Sequence, residues 1–227
     1  KPDRFEQFAN FVTQFGYNLK SGDNSNIAKS LNDLLEDVHG KKEGNMIETL
    51  AVRTMAKAEY STSNIGHYGL AFEYYSHFTS PIRRYPDVMV HRLLQQYLDG
   101  EKSASAEDYE DNCKHCSKME KKAASAERDS IKYKQVEFMA KHLGEEFTAI
   151  ISGVTEWGIY AEIEENLCEG MVSIRSMEDD TYILDADNYC LVGSRHGKKY
   201  QMGDRVNVQI KNADLAKKQL DYILVTD

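Results

Sequence analysis

The 227-residue chain carries 28 Lys and Arg against 37 Asp and Glu, a formal charge of −9, and 41% of its residues are hydrophobic. That much apolar material favours folded cores over disorder. No apolar run nears the ~20 residues that span a bilayer, and four cysteines are too few for a disulfide framework, which suggests reduced thiols and a cytoplasmic setting.

Charge is unevenly spread. Residues 143–227 hold 8 Lys/Arg against 16 Asp/Glu, and residues 1–142 hold 20 against 21. Neither half is a basic surface, so any nucleic-acid contact has to use local cations, stacking aromatics or metal. The N-terminus, Lys1-Pro2-Asp3-Arg4-Phe5, is neither a signal peptide nor an initiator methionine. It fits a piece of a longer protein or a processed chain.

Three helical stripes come first. Phe5, Phe8, Ala9 and Val12 recur at helical spacing and stop at Gly16. Ile27, Leu31, Leu34, Leu35 and Val38 repeat the pattern up to Gly40, and Met46, Ile47, Leu50, Ala51, Met55 and Ala58 form the third. Such stripes face a core. A polar loop from Ser61 to Thr79 follows. Ser80-Pro81 then reads as a helix start, because serine caps with its hydroxyl and proline suits the first turn. This helix carries Ile82, Val88, Met89, Leu93, Leu94 and Leu98, with a bend expected at Pro86. Ser105 opens another, with Asp108 placed for a capping box. Helical pattern then persists to about His142, either unbroken for about 55 Å or interrupted near Ala123 to Ser125.

At Gly144 the period changes. Short alternating or β-branched runs begin at Phe147, Gly158, Gly170, Val206 and Leu220, with Gly, Asn and Asp between them. Five short strands in about 80 residues predict a small closed barrel. The fold class is therefore α+β, with a helical domain at 1–142 and a five-stranded OB-fold barrel at 143–227.

Two stretches carry a resemblance. Gly66-His-Tyr-Gly-Leu-Ala-Phe-Glu-Tyr-Tyr-Ser-His-Phe-Thr-Ser-Pro-Ile-Arg-Arg-Tyr-Pro-Asp-Val-Met-Val-His-Arg-Leu-Leu94, above all Thr79 to Asp87, resembles the signature near the end of the catalytic RNB domain in the ribonuclease II/ribonuclease R family. The barrel resembles the S1-type RNA-binding domain that follows RNB. Within it, Asn188 to Asp204 resembles the ribonuclease R branch, and Ala126-Glu-Arg-Asp129 lies between the two stretches.

The resemblance implies 3′→5′ hydrolysis of single-stranded RNA to nucleoside 5′-monophosphates with magnesium. In the family the metal-binding aspartates lie far upstream of the Thr-Ser-Pro-Ile-Arg-Arg motif. No closely spaced aspartate set of that kind occurs among the 78 residues before Thr79. The expectation is a C-terminal part that binds RNA but holds no metal and does not cut. A non-catalytic RNA-binding or scaffolding protein is the alternative. No membrane contact is expected, and no protein partner can be named.

The family's essential arginine matches Arg83, whose guanidinium fork suits phosphate oxygens. Placed in the first turn of a capped helix begun at Ser80, it would sit beside free backbone amides, with Ser80 and Arg84 expected to make neighbouring RNA contacts. Read from spacing alone, Arg83 pairs instead with Asp87 at i,i+4. Trp157 and Tyr160 take the place of the aromatic pair with which S1-type domains stack bases; otherwise one of the two is core.

The family often has His then Ser in the next strand where this chain has Ser173 and Arg175, so Arg175 is left as the phosphate contact. Arg195, His196, Lys198 and Lys199 form a basic cluster, read either as a backbone-contacting loop or as a solvated one. Cys113-Lys-His-Cys116 supplies two ligands where a structural zinc needs four. His67, His77 and His91 are expected to serve as hydrogen-bonded structural groups and Glu127 as an ion-pair partner.

Overall fold

The computed structural model describes residues 2–20, 24–41, 43–55, 57–64, 66–67 and 72–225. Residues 68–71 of the signature stretch lie outside them. The chain forms two compact units, one of residues 1–55 together with 128–227 and one of residues 56–127.

In the larger unit, α1 (Pro2–Thr13), α2 (Asn24–Val38) and α3 (Gly44–Thr54) form around the three apolar stripes. The third helix ends at Thr54, short of Ala58, because Met55 turns to extended backbone. Phe8, Phe11, Val12, Leu31, Leu34, Val38, Met46, Ile47 and Leu50 close into one core, which also takes in Met202 from beyond the helices. The Phe11 and Tyr189 rings meet edge to face at 5.0 Å, and the Arg53 guanidinium donates to the Ser152 carbonyl at 3.1 Å. These helices therefore pack on the β-region that follows α5 in the chain.

That region holds β1 (Glu146–Thr155), β2 (Gly158–Ile163), β3 (Glu169–Ser173), β4 (Tyr182–Asp185), β5 (Cys190–Gly193), β6 (Lys199–Gln201), β7 (Arg205–Asp214) and β8 (Gln219–Leu224). The five expected strands close a barrel in the order β1-β2-β3-β8-β7, with only the β3–β8 pair parallel. Alternation decides which side chains fill it. Ile159, Ala161 and Ile163 of β2 are fully buried, as are Val172 of β3 and Val208 of β7. Tyr160 and Glu162 take the opposite face of β2 and are half-buried.

Two glycines are fixed by close approach. At Gly158, with φ +148°, a Cβ would drive into the Val172 carbonyl. At Gly170 a Cβ would stand 2.6 Å from the Tyr222 ring, which lies buried with its hydroxyl donating to the Cys168 carbonyl. Strands β4, β5 and β6 form a separate three-stranded sheet that the sequence reading does not anticipate.

In the smaller unit α4 runs Tyr85–Leu98, which corrects the helix start expected at Ser80. Residues 81–83 form a turn, Arg84 is the extended N-cap, and Pro86 falls in the first helical turn without a bend. A helix begun at Ser80 would carry Pro86 in its interior, where its ring meets the carbonyl four residues back at a cost of about 3 kcal/mol. Starting at Tyr85 removes that conflict. On α4 only Asp87 and Met89 are fully buried, and Leu94 and Leu98 are exposed. Helix α5 runs unbroken from Ala106 to Met139 with Glu107 and Asp108 in its first turn, so the interruption weighed near Ala123 does not occur.

Candidate nucleic-acid interface

The turn before α4 is built on one carboxylate. Asp87 has no solvent exposure, and its Oδ2 accepts the Ser80 amide at 2.7 Å and the Arg84 Nη2 at 2.9 Å. The Ser80 carbonyl in turn accepts the Arg83 amide at 3.3 Å and the Arg84 amide at 3.0 Å. Burial alone would raise the Asp87 pKa. The Ser80 hydrogen bond and the Arg84 charge outweigh it and hold the carboxyl below its ordinary range.

Arg84 is thus directed inward, with 16% of its side chain exposed. Its charge is also felt by Tyr60, whose hydroxyl is pushed up to about 12 by burial and then by a hydrogen bond with Glu120. The ion pair read from spacing as Arg83 with Asp87 is made by Arg84 instead, at i,i+3. Arg83 is exposed, with no ion pair or side-chain hydrogen bond among the described residues. It lies in the turn just ahead of the N-cap of α4 rather than in a first helical turn. Ser80 is half-buried and engaged through its backbone at both ends.

On the barrel, strand register gathers a second set. Trp157 occupies the β1–β2 turn and is 64% exposed. Gly158 pairs with Ser173 and Tyr160 with Met171 across β2–β3, and the Trp157 carbonyl accepts the Ile174 amide at 2.9 Å. Arg175 stands in the 3₁₀ turn Ile174–Ser176, exposed, and its side chain has no partner among the described residues. Trp157, Tyr160, Ser173 and Arg175 therefore share one end of the β2–β3 pair, and neither aromatic belongs to the barrel core.

Tyr160 also lines a groove of about 330 Å³ with Lys132, Glu169, Met171, Lys217 and Lys218. The lysines there are not in the sequence reading. The Lys217-Lys218 pair just before β8 was the available signal, whereas Lys132 lies in a mixed-charge helix that marks no residue out. Lys132 donates to the Glu169 carbonyl at 2.6 Å, and Lys218 pairs with Asp129 at 3.2 Å.

The basic cluster forms the β5–β6 turn, organised by acids. Asp180, 1% exposed, accepts the amides of Thr181, Arg195 and His196. Burial would raise its pKa, but those amides hold it below the ordinary range. Lys198 reaches Asp179 at 3.5 Å and the Tyr200 ring at 5.0 Å. Lys199 is exposed without a side-chain partner among the described residues. Lys198 is thus already paired, and Lys199 is not.

His91 meets the Phe78 carbonyl at 2.7 Å and His77 meets the Tyr75 hydroxyl at 3.3 Å. Burial pushes the Cys113 and Cys116 thiols up, which disfavours the thiolate a metal needs. Among the described residues no three His, Cys, Asp or Glu side chains stand where they could share an ion. No helix of the described residues is long and apolar enough to cross a membrane.

The RNB domain model matches residues 1–100 and the S1 RNA binding domain model matches residues 141–222. Ribonuclease R of Aquifex aeolicus is 40% identical over 98% of the chain, and that of Thermotoga maritima 37% over all of it. The chain spans about a third (32%) of the length of these curated relatives. The solved Mycoplasma genitalium RNase R superposes with a TM-score of 0.82 at 27% identity, covering 98% of this chain and 36% of that one. That protein has also been solved in complex with ribose methylated single-stranded RNA.

Proposed function

The chain belongs to the ribonuclease II/ribonuclease R family, and from that premise we propose that it is the C-terminal part of a 3′→5′ exoribonuclease, supplying RNA contacts rather than the metal centre. The observation that carries this reading is the shared end of the β2–β3 pair, where the exposed Trp157, the half-buried Tyr160 and the unpaired Arg175 stand together. Exposed aromatics on an OB barrel offer each base a stacking face, and a free guanidinium beside them meets phosphate. The single-stranded RNA bound by the Mycoplasma relative supports the same ligand class.

In the whole enzyme, hydrolysis adds water across the terminal phosphodiester. The water oxygen bonds to phosphorus, the 3′ oxygen of the preceding nucleotide leaves with a proton, and a nucleoside 5′-monophosphate departs. Arg83 contacts the phosphate oxygens and offsets the charge that grows on them. Magnesium, where it is used, is held by residues outside this chain. We place the boundary between RNB and S1 parts at residues 142–144, after α5, and the enzyme in the cytoplasm, where four unpaired cysteines are at home.

The test is an exoribonuclease assay on the purified chain and on the full-length enzyme, with and without magnesium. The chain alone is expected to bind single-stranded RNA with micromolar or weaker affinity and to release no mononucleotide, while the full-length enzyme releases it. Release by the clean chain, abolished by Arg83→Ala, would contradict the assignment. A full-length protein that binds but never cleaves would favour a non-catalytic RNA-binding scaffold.

A further inference from the structure

We propose that Asp87 is a positioning residue for Arg83: its buried carboxylate fixes the turn from Ser80 to Arg84 so that one arginine is held inward and the other is left free for phosphate. The inference rests on the reading of Arg83 as the phosphate-contacting group.

Three observations carry it. The first is cost. A carboxylate with no solvent exposure is retained although its Oδ1, like the Nε of Arg84, is buried without a hydrogen bond among the described residues. An ion pair left half-satisfied in this way is no better for stability than an apolar pair of the same volume, and often worse. A gain in stability over an apolar pair therefore does not account for it.

The second is what the pair fixes. The same Oδ2 takes the Ser80 amide and the Arg84 guanidinium, while the Ser80 carbonyl takes the Arg83 and Arg84 amides. Ser80 is gripped from both sides, and the backbone of residues 80–84 is closed on itself. Among the described residues, 80–84 lie outside every helix and strand, and Asp87 is what fastens them.

The third is the division between adjacent arginines. Arg84 is 16% exposed and paired, whereas Arg83 is exposed and unpaired. Two neighbouring guanidiniums free to turn would compete for one phosphate. The buried carboxylate removes one of them from the contest and anchors the backbone from which the other projects. Misplacement of a reacting contact by about 1 Å costs up to roughly 10²-fold in rate, so fixing this turn bears on turnover while Asp87 itself touches no substrate.

The experiment is a double-mutant cycle in the full-length enzyme, measuring turnover and the Kd for single-stranded RNA. Asp87→Ala is expected to lower kcat by roughly 10- to 10²-fold with Kd changed less than about threefold, and to have no further effect in an Arg83→Ala background. Asp87→Asn preserves shape and an acceptor for the Ser80 amide but loses the charge on Arg84. It is expected to fall between wild type and alanine, and it serves as the test if the alanine variant does not fold. Equal loss in both backgrounds, or a folded Asp87→Asn with unchanged kcat, overturns the positioning role. If Arg83→Ala itself leaves kcat intact, the phosphate reading of Arg83 has failed, and the positioning role falls with it.

Discussion

The turn before α4 and the open end of the β2–β3 pair hold their exposed side chains by opposite means. Arg83 projects from a five-residue turn fastened through a single buried carboxylate, whereas Trp157, Tyr160 and Arg175 are set by strand register and by a glycine that admits no side chain. A charge clamp concentrates its consequences: one group fixes the geometry, and removing it frees the whole turn. A backbone ladder distributes them, since each residue on the face depends on several hydrogen bonds and no one side chain is indispensable. Substitutions in the turn should therefore act sharply and through turnover, and substitutions on the barrel gradually and through affinity.

The sharpest break is expected at the turn. Arg83→Lys in the full-length enzyme keeps the charge and loses the bidentate fork. Turnover should fall by about 10²–10³, the cost of one good transition-state contact, with RNA affinity nearly unchanged. Near-normal kcat in single-turnover kinetics would reduce Arg83 to a surface residue. On the barrel, Tyr160→Ala should weaken single-stranded RNA binding by ~1–3 kcal/mol while leaving the chain folded, as equilibrium binding and calorimetry would show.

Acid separates the two means of support. The Asp87 pKa is lowered on folding, so the native state binds fewer protons there than the unfolded chain. The stability it contributes is present above the ordinary carboxylate value near ~3.9 and is lost as pH falls through the lower folded value. Around Asp87 the charged and titratable groups are Arg84, His77, Tyr60 and Glu120. Asp180 behaves with the same sign in the β5–β6 turn. Below about pH 4 the amides of Ser80 and of Arg195–His196 should lose hydrogen-exchange protection before those of β1–β3. In Asp87→Asn the Ser80 step should disappear. Simultaneous loss in turn and barrel would remove the distinction.

The smallest effect concerns the basic cluster. Because Lys198 is already paired with Asp179, Lys199→Ala should weaken RNA binding more than Lys198→Ala does. Both are exposed charges, so each change should stay below about 1 kcal/mol.

Much of this was legible in the sequence. The three helical stripes and all five barrel strands follow from period alone, because long apolar repeats at 3.6 or 2 residues leave little choice of buried face. Strands β4 to β6 were not legible. They run three or four residues each, too short for alternation to register, and they are held by tyrosine packing and the Asp180 turn. The helix start was misread because Ser80-Pro81 and Tyr85-Pro86 both carry start signals, and only the clash at Pro86 decides between them.

At the site, motif and family resemblance marked Arg83, Trp157, Tyr160 and Arg175 as candidates, and the structure places the last three on one edge. The inward turn of Arg84 was hidden, since spacing cannot tell which of two adjacent arginines a buried carboxylate takes. Lys132 was hidden in a mixed-charge helix, and although Lys217-Lys218 stood out as a pair, their shared groove joins residues some 30 to 90 positions apart.

Because Trp157 is the sole tryptophan, its fluorescence reports directly on whether the barrel edge meets RNA. Titrating a single-stranded oligoribonucleotide into the full chain should shift that emission saturably. The salt dependence should be shallow, because residues 143–227 carry twice as many acids as bases and little counterion is released. A duplex of equal length should compete poorly, since its bases cannot splay onto an aromatic face. Unchanged emission at saturating RNA, or equal competition by duplex, would contradict the stacking account and leave Arg195, Lys198 and Lys199 to make the contact.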